Sequence, residues 1–253
     1  RGRDKKLPFV MVQVQKGDAG QVTAHYIIAA PDVLRAISGN LRVLAPLIED
    51  KLPTYELLGD TLEHIEIDQP EPISVDDQVE DILEMMMITK NKIPVIESLL
   101  SAIVQGVQLV VINGPDQLQA RLDFIAGLLA LLPRSARFGV TYTTYSHADT
   151  DLNAQIRFIK SDNPPGGTLI YDWKTGKVSG ITVEDDYSKF VISQLRLDAE
   201  LVIQRTSAMT HIAAWRINRG DRLADSLAYA SKRLRLDESL RTNQPVNTDE
   251  IAE

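Results

Sequence analysis

The chain has 253 residues, a net charge of −8 at pH 7, and 44% hydrophobic and 25% charged residues. That length is sufficient for one large or two small globular domains with a substantial core. The absence of cysteine excludes disulfides, thiolate metal ligands and a cysteine nucleophile, and the negative charge disfavours nonspecific nucleic-acid binding.

The sequence predicts a cytoplasmic protein without a membrane span. No apolar run approaches the roughly 20 residues needed to cross a bilayer. The first residues, Arg1 to Lys6, lack the apolar core of a signal peptide. Because the chain starts with Arg1 and has no initiator methionine, we expect a fragment or a processed form of a longer protein.

A β-hairpin is predicted near the N-terminus. Two β-rich runs, 7–16 and 21–30, flank a segment that contains Gly17 and Gly20. Alternating apolar residues around a glycine-containing turn are typical of a hairpin. The rest of this region is predicted to contain helices over 31–37 and 41–48 and a strand over 61–67.

A domain boundary is predicted at 68–72, where two prolines within three residues oppose regular structure. Ser74 and Asp77 then have the spacing of a helix capping box. The helix that follows is predicted to pack one face into the core. That face comprises Val75, Val79, Ile82, Leu83 and Met86.

Three consecutive methionines in this helix allow two interpretations. Met85, Met86 and Met87 would suit an adaptable binding groove, since methionine side chains are flexible and polarisable. A helix packed into the core explains them equally directly, and we favour that interpretation.

The central segment alternates helical and β-rich patterns. Helix 93–104, strand 107–112, helix 116–132 and strand 138–145 predict two neighbouring parallel strands joined by a right-handed crossover. Further strands are predicted over 155–160, 168–172 and 178–183. After Glu184 two helices are predicted, the second interrupted by Gly220.

The sequence therefore predicts an α/β (α+β) fold with a mixed central sheet. Four segments are expected: an N-terminal hairpin with helices (1–68), a central α/β region (69–183), a C-terminal helical region (184–240) and a disordered tail (241–253).

The strand that ends at Ile112 leads through Asn113-Gly-Pro-Asp116 into a helix, which is the scaffold of a phosphate-binding loop. A Walker loop also needs a Lys-Ser/Thr pair, and this chain has Leu118 to Arg121 in that region. Asp116 in the first turn would repel phosphate. We predict no nucleotide and no other cofactor.

Catalytic and metal motifs are also missing. His147, Asp149 and Asp151 could together offer three ligands to a divalent metal, but no further ligand pattern accompanies them. The chain has no Gly-x-Ser-x-Gly elbow. We predict no catalytic, cofactor-binding or metal residue, and an enzyme with a dispersed site around His147 is kept as an alternative.

The segment from Arg205 to Arg241 is basic, with eight Lys/Arg against four Asp/Glu. The interleaved carboxylates favour a solvated face with local ion pairs; they are Asp221, Asp225, Asp237 and Glu238. The alternative is a surface that binds an acidic protein rather than nucleic acid. The candidate partner-binding residues are Trp215, Arg216, Arg219, Arg222, Lys232, Arg233 and Arg235.

Residues 101–145 resemble two families. The helix, the strand Val107–Ile112, the polar turn and the Ala/Leu-rich helix are similar to the centre of DENN-type modules. Leu131-Leu-Pro133 with nearby Arg137, followed by Val140-Thr-Tyr-Thr-Thr-Tyr145, resembles bacterial GTPase-associated proteins. Residues 7–68 are compatible with the longin-like half of such modules. The resemblance implies a noncatalytic module that binds or regulates a small GTPase.

A structural or assembly subunit is the other alternative. Amphipathic C-terminal helices would then bury Phe190, Leu195 and Trp215 between copies in a homo-oligomer.

Overall fold

The computed structural model describes residues 9–16, 22–29, 31–37, 39, 73–147, 153–160 and 164–242. The chain divides into two compact units, Arg1–Ile73 and Ser74–Glu253. This division lies just after the proline-containing segment 68–72, which is outside the described residues.

The first unit contains the predicted hairpin. Strand β1 (Phe9–Lys16) pairs antiparallel with β2 (Val22–Ala29) over all eight residues of each strand. Helix α1 (Pro31–Ala36) follows, which confirms the first predicted helix. The helix predicted over 41–48 and the strand predicted over 61–67 lie outside the described residues.

The second unit combines helices with a five-stranded sheet, which confirms the α/β class. Its helices are α2 (Val75–Ile88), α3 (Ile93–Gln105), α4 (Leu118–Ala130), α5 (Arg134–Arg137), α6 (Asp186–Leu195), α7 (Ala199–Asn218) and α8 (Leu223–Arg241). Its strands are β3 (Leu109–Ile112), β4 (Tyr142–Ser146), β5 (Ile156–Ile159), β6 (Leu169–Asp172) and β7 (Lys177–Gly180). Among the helices of the described residues, none combines the length and apolarity that a membrane span requires.

The strand order is β4-β5-β3-β6-β7, with β7 antiparallel at one edge and the other pairs parallel. The prediction that β3 and β4 are neighbours is wrong, because β5 lies between them. All four residues of β5 are buried, whereas β4 is mostly half-exposed. The more apolar of these two strands therefore takes the inner position and β4 the edge, since both faces of an inner parallel strand are covered.

Helix α2 begins with the predicted capping box. Ser74 accepts from the backbone N–H of Asp77, and the Asp77 carboxylate accepts from the Ser74 N–H. Its buried face differs from the prediction: Val75 and Leu83 are exposed, and the buried residues are Gln78, Asp81, Ile82 and Met85. The two polar residues turn inward because they face a buried arginine, Arg137.

The three methionines divide between the two interpretations. Met85 is fully buried, Met86 is half-buried and Met87 is 67% exposed. Gly127 of α4 lies against Met85 and the Asp81 carbonyl so closely that an added Cβ would overlap both. The core interpretation therefore holds for Met85, at a tight helix crossing, and fails for Met87.

The C-terminal helices share one hydrophobic core with the sheet. Leu99 of α3, Phe124 of α4 and Tyr187 of α6 belong to it together with residues of α7 and α8. Three helices are present where two were predicted, because Asp198 caps a new start for α7 by accepting from the Glu200 N–H. Helix α8 extends to Arg241, and residues 243–253 lie outside the described part of the chain.

Candidate functional site

In open α/β sheets, ligands bind beyond the carboxyl ends of the parallel strands. In this protein that edge carries Asn113 after β3, His147 after β4 and Asp172 at the end of β6. A ligand site in this class of fold is therefore expected at this edge.

The carboxylate of Asp172 is held by internal hydrogen bonds. It accepts from the Asn113 side-chain amide at 3.0 Å, from the Thr175 hydroxyl at 2.8 Å and from the backbone N–H groups of Lys174 and Thr175. Burial, the largest effect, acts to raise the pKa of Asp172, but the bonds from Asn113 and Thr175 outweigh it and the pKa is lowered. This carboxylate is a turn-forming group.

Lysines of the α2–α3 connection close the same turn. Lys90 Nζ donates to the Lys174 carbonyl at 2.9 Å, and Lys92 Nζ donates to the carbonyls of Thr175 and Gly176. These polar groups at the end of β6 thus form hydrogen bonds within the chain.

Side chains of Arg121 and Phe158 contact the Asn113–Asp116 turn. Arg121, in the region where a Walker loop carries its lysine, donates to the carbonyls of Pro115 and Thr144, each at 2.6 Å. A Cβ at Gly114 would lie 3.0 Å from the Phe158 ring. The turn thus connects β3 to α4, and Arg121 of α4 donates to backbone carbonyls of the chain itself.

Four aromatic rings lie beneath this edge. Phe124 stacks on Tyr171 at 5.4 Å between centroids, and Trp173 and Phe158 pack against Phe124 at 5.3 and 6.0 Å. The Tyr171 hydroxyl also donates to the Ile88 carbonyl at the end of α2. The cluster fixes the ends of β5 and β6 against α4, and the spacing of these aromatic residues along the chain did not predict it.

His147 is exposed, and its ring meets Tyr145 edge-on at 5.5 Å. Asp149 and Asp151, the two other members of the predicted ligand set, lie outside the described residues. Within the described ranges no three His, Asp or Glu side chains come close enough to hold a metal ion.

The family resemblance rested in part on Arg137, which is a buried structural residue. Its Nε donates to the Leu132 carbonyl at 2.9 Å, and its Nη2 donates to Gln78 Oε1 at 2.9 Å and to the Ala130 carbonyl at 3.4 Å. The Tyr187 hydroxyl donates to the intervening Leu131 carbonyl. Three consecutive carbonyls at the end of α4 thereby receive donors, as a helix C-terminus requires.

On the C-terminal helices, the predicted local ion pairs are present. Arg216 Nε lies 2.6 Å from Asp221 Oδ2, Arg222 binds both oxygens of Asp225, and Arg233 Nε lies 3.1 Å from Asp237 Oδ1. These three candidate binding residues are neutralised on their own surface.

Two further candidate residues are only partly accessible. Lys232 is half-buried and has an interaction partner. Arg235 is also half-buried, with its guanidinium carbon 5.9 Å from the Phe190 ring centre.

Trp215 and Arg219 differ from the other candidates. The indole is 52% exposed, and the Arg219 guanidinium carbon lies 4.6 Å from its ring centre. Arg219 is exposed as well. A cation–π pair of this kind contributes about 0.5–1 kcal/mol at an exposed site. It holds the two side chains together, and both remain accessible to solvent.

The exposed residues next to this pair follow the helix. Ala208, His211, Trp215 and Arg219 are exposed at spacings of three, four and four residues, which places them on one side of α7. We call these four residues the α7 stripe. Between Leu201 and Arg219 the sequence has no Asp or Glu. Sequence reasoning missed His211, although its spacing from Trp215 was the available signal.

Two residues of the assembly hypothesis are not on the surface. Phe190 and Leu195 are 8% and 5% exposed and belong to the core of the chain. The proposed burial of these side chains between copies is therefore wrong, because each chain buries them itself. Trp215 alone of the three is accessible.

No protein-family model, curated protein or solved structure matches this chain. The resemblance to GTPase-associated proteins and DENN-type modules stays a prediction.

Proposed function

We propose that this chain is a noncatalytic protein-interaction module that binds an acidic surface of a partner through the α7 stripe, and that the partner is a small GTPase. The proposal joins two independent supports. The chemistry of the stripe suggests an acidic protein, and the sequence resemblance suggests a GTPase.

The observation that carries the proposal is the exposed Trp215–Arg219 pair. Tryptophan and arginine are the residue types most enriched among the energetic centres of protein interfaces. Covering the exposed half of an indole removes on the order of 100 Å² of largely apolar surface from water, a gain of about 2–3 kcal/mol. That gain is available to a partner because the protein leaves the indole half exposed.

Charge determines the kind of partner. The stripe carries the cation Arg219, while the nearest carboxylate along the chain on the C-terminal side, Asp221, already pairs with Arg216. An acidic partner surface would therefore meet positive charge that the protein does not itself neutralise. The same chain is acidic overall, which opposes long phosphate-rich polymers more than a local acidic patch.

A small GTPase as the partner is compatible with the polar groups at the carboxyl edge of the sheet, which form hydrogen bonds within the chain. Asp172 and Arg121 bind groups of their own chain. A module that acts on a GTPase uses surface contacts to hold or remodel the partner's nucleotide site, and a nucleophile is not part of that mechanism.

The test is affinity capture with the full chain immobilised. Lysate of the source cell is loaded with GDP or with a non-hydrolysable GTP analogue, and bound proteins are identified by mass spectrometry. We expect a small GTPase to be enriched, in one nucleotide state over the other, on the wild type relative to Trp215→Ala/Arg219→Glu. Recovery of no GTPase in either state would refute the GTPase assignment.

A matched control separates the stripe from general surface effects. Leu197→Ser/Lys177→Glu also removes an exposed apolar group and reverses one exposed positive charge, at positions outside α7. This control should capture the GTPase as well as the wild type does. If the control and the stripe variant lose capture equally, the α7 stripe is not the binding surface.

A further inference from the structure

A second surface helix has a charge pattern opposite to that of the α7 stripe. Helix α2 contains five carboxylates and no Lys, Arg or His over its fourteen residues. The five are Asp76, Asp77, Glu80, Asp81 and Glu84. Asp81 is buried and Asp77 serves the capping box, whereas Asp76 and Glu80 are exposed on the outer side of the helix.

Apolar side chains continue the outer side of α2. Asp76, Glu80, Leu83 and Met87 are exposed at spacings of four, three and four residues. We call them the α2 ridge. Leu83 is 49% and Met87 is 67% exposed. Residues that line one side of a helix–helix contact have the same alternating spacing of three and four residues. Methionine is suited to such a contact because its flexible side chain adapts to the surface that packs against it.

The α7 stripe has the complementary arrangement. It presents Ala208 and Trp215 as apolar groups and Arg219 as a cation, on the same side of the helix as His211. The ridge and the stripe thus each offer apolar contact area flanked by charge, and the charges are opposite in sign.

We propose that the α2 ridge of one copy of this chain docks on the α7 stripe of another copy. Two ridges facing each other would oppose carboxylates, and two stripes would oppose their Arg219 guanidinium groups, so the ridge–stripe pairing is the one that avoids like charges. Each copy has one ridge and one stripe. The contact is therefore available to every copy twice, once through each surface.

This self-association uses the same stripe as the proposed function but does not depend on the GTPase assignment. A partner that binds the stripe would compete with a second copy for Trp215. The self-association is measured with the pure protein alone, so its failure and the failure of the GTPase assignment are separate results.

The first measurement is the mass of the full chain by sedimentation velocity across a range of concentrations. We expect species heavier than the 28.1 kDa monomer, increasing with protein concentration and decreasing with added salt, because the charges are at the surface. A monomer at all concentrations and at low salt would overturn the proposal.

The second measurement locates the contact. The ridge variant Leu83→Ser/Met87→Ser and the stripe variant Trp215→Ser/Arg219→Glu should each weaken self-association about tenfold or more, as loss of a buried apolar contact does. Leu197→Ser/Lys177→Glu is the matched control and should associate like the wild type. Melting temperatures close to that of the wild type would establish that each variant is folded.

Mixing the two variants gives the decisive result. One retains an intact stripe and the other an intact ridge, so the mixture should form a one-to-one complex at a concentration at which each variant alone is mostly monomeric. If the mixture stays monomeric while the wild type associates, the ridge does not meet the stripe and the proposal is wrong.

Discussion

Replacing Arg137 by methionine tests how the end of α4 is stabilised. The arginine is only 5% exposed, and its donors reach the Leu132 and Ala130 carbonyls and Gln78. Burial, with a smaller effect of nearby Arg134, lowers the pKa of Arg137 to about 10. At neutral pH the guanidinium is therefore still charged, and all of its donors are available.

Two opposing effects set the size of the change. The lowered pKa indicates that burial disfavours the cation by about 3 kcal/mol, and methionine removes that cost. Methionine also leaves three buried acceptors without their donor, at about 1–3 kcal/mol each. The second effect is larger, so we expect Arg137→Met to lower the free energy of unfolding by about 3 kcal/mol.

Urea unfolding followed by circular dichroism measures this difference. Arg134→Met is the matched control, because Arg134 lies on the same short helix, is half-buried and repels Arg137. The control should be neutral or slightly stabilising. Equal destabilisation by the two substitutions would refute the reasoning, since it would mean that the carbonyls of α4 do not depend on Arg137.

Three further predictions concern the second unit. Gly127→Ala should destabilise by about 3 kcal/mol, because its Cβ would overlap Met85 and the Asp81 carbonyl, whereas Gly166→Ala, with open space around it, should be neutral in the same urea assay. Burial, with a smaller effect of Asp172, raises the pKa of Tyr171 to about 12. The neutral Tyr171 phenol stabilises the folded state fully below pH 10, and this stabilisation is lost as the pH rises to about 12. Over that window the free energy of unfolding of the wild type should therefore fall by about 2–3 kcal/mol more than that of Tyr171→Phe. Urea unfolding at each pH measures the difference. The hydrogen bonds that lower the pKa of Asp172 should make Asp172→Ala less stable by about 1 kcal/mol at neutral pH. This difference should shrink as the pH falls through the lowered pKa, and a constant difference in acid would contradict it.

Local sequence signals predicted the local structure well. The Ser74–Asp77 spacing defined a capping box, and alternating apolar residues on either side of Gly17 and Gly20 defined a hairpin. Each of these depends on residues a few positions apart, whose geometry is fixed by the helix or the turn itself. Such signals need no knowledge of the rest of the chain.

The errors arose where distant residues decide the outcome. Strand order depends on which strands pair with each other. The burial of β5 results from its position between β4 and β3, which are distant from one another in sequence. The buried face of α2 was predicted from apolar side chains alone, but Gln78 and Asp81 turn inward because Arg137, 59 residues beyond Gln78, lies beneath them. Apolar periodicity contains no information about a buried polar partner of that kind.

Apolar periodicity also hid the α2 ridge, because it placed Leu83 on the predicted core face, whereas Trp215 and Arg219 of the α7 stripe were among the predicted binding residues. Leu83 and Trp215 each fall within an amphipathic helix. They are exposed because Gln78, Asp81 and Met85 already fill the inner side of α2, and Met209 and Ala213 fill that of α7. A helix that buries one side and exposes large apolar groups on the other leaves those groups available for contact with another molecule. For both helices, the opposite charges around those groups make a second copy of the chain a suitable one.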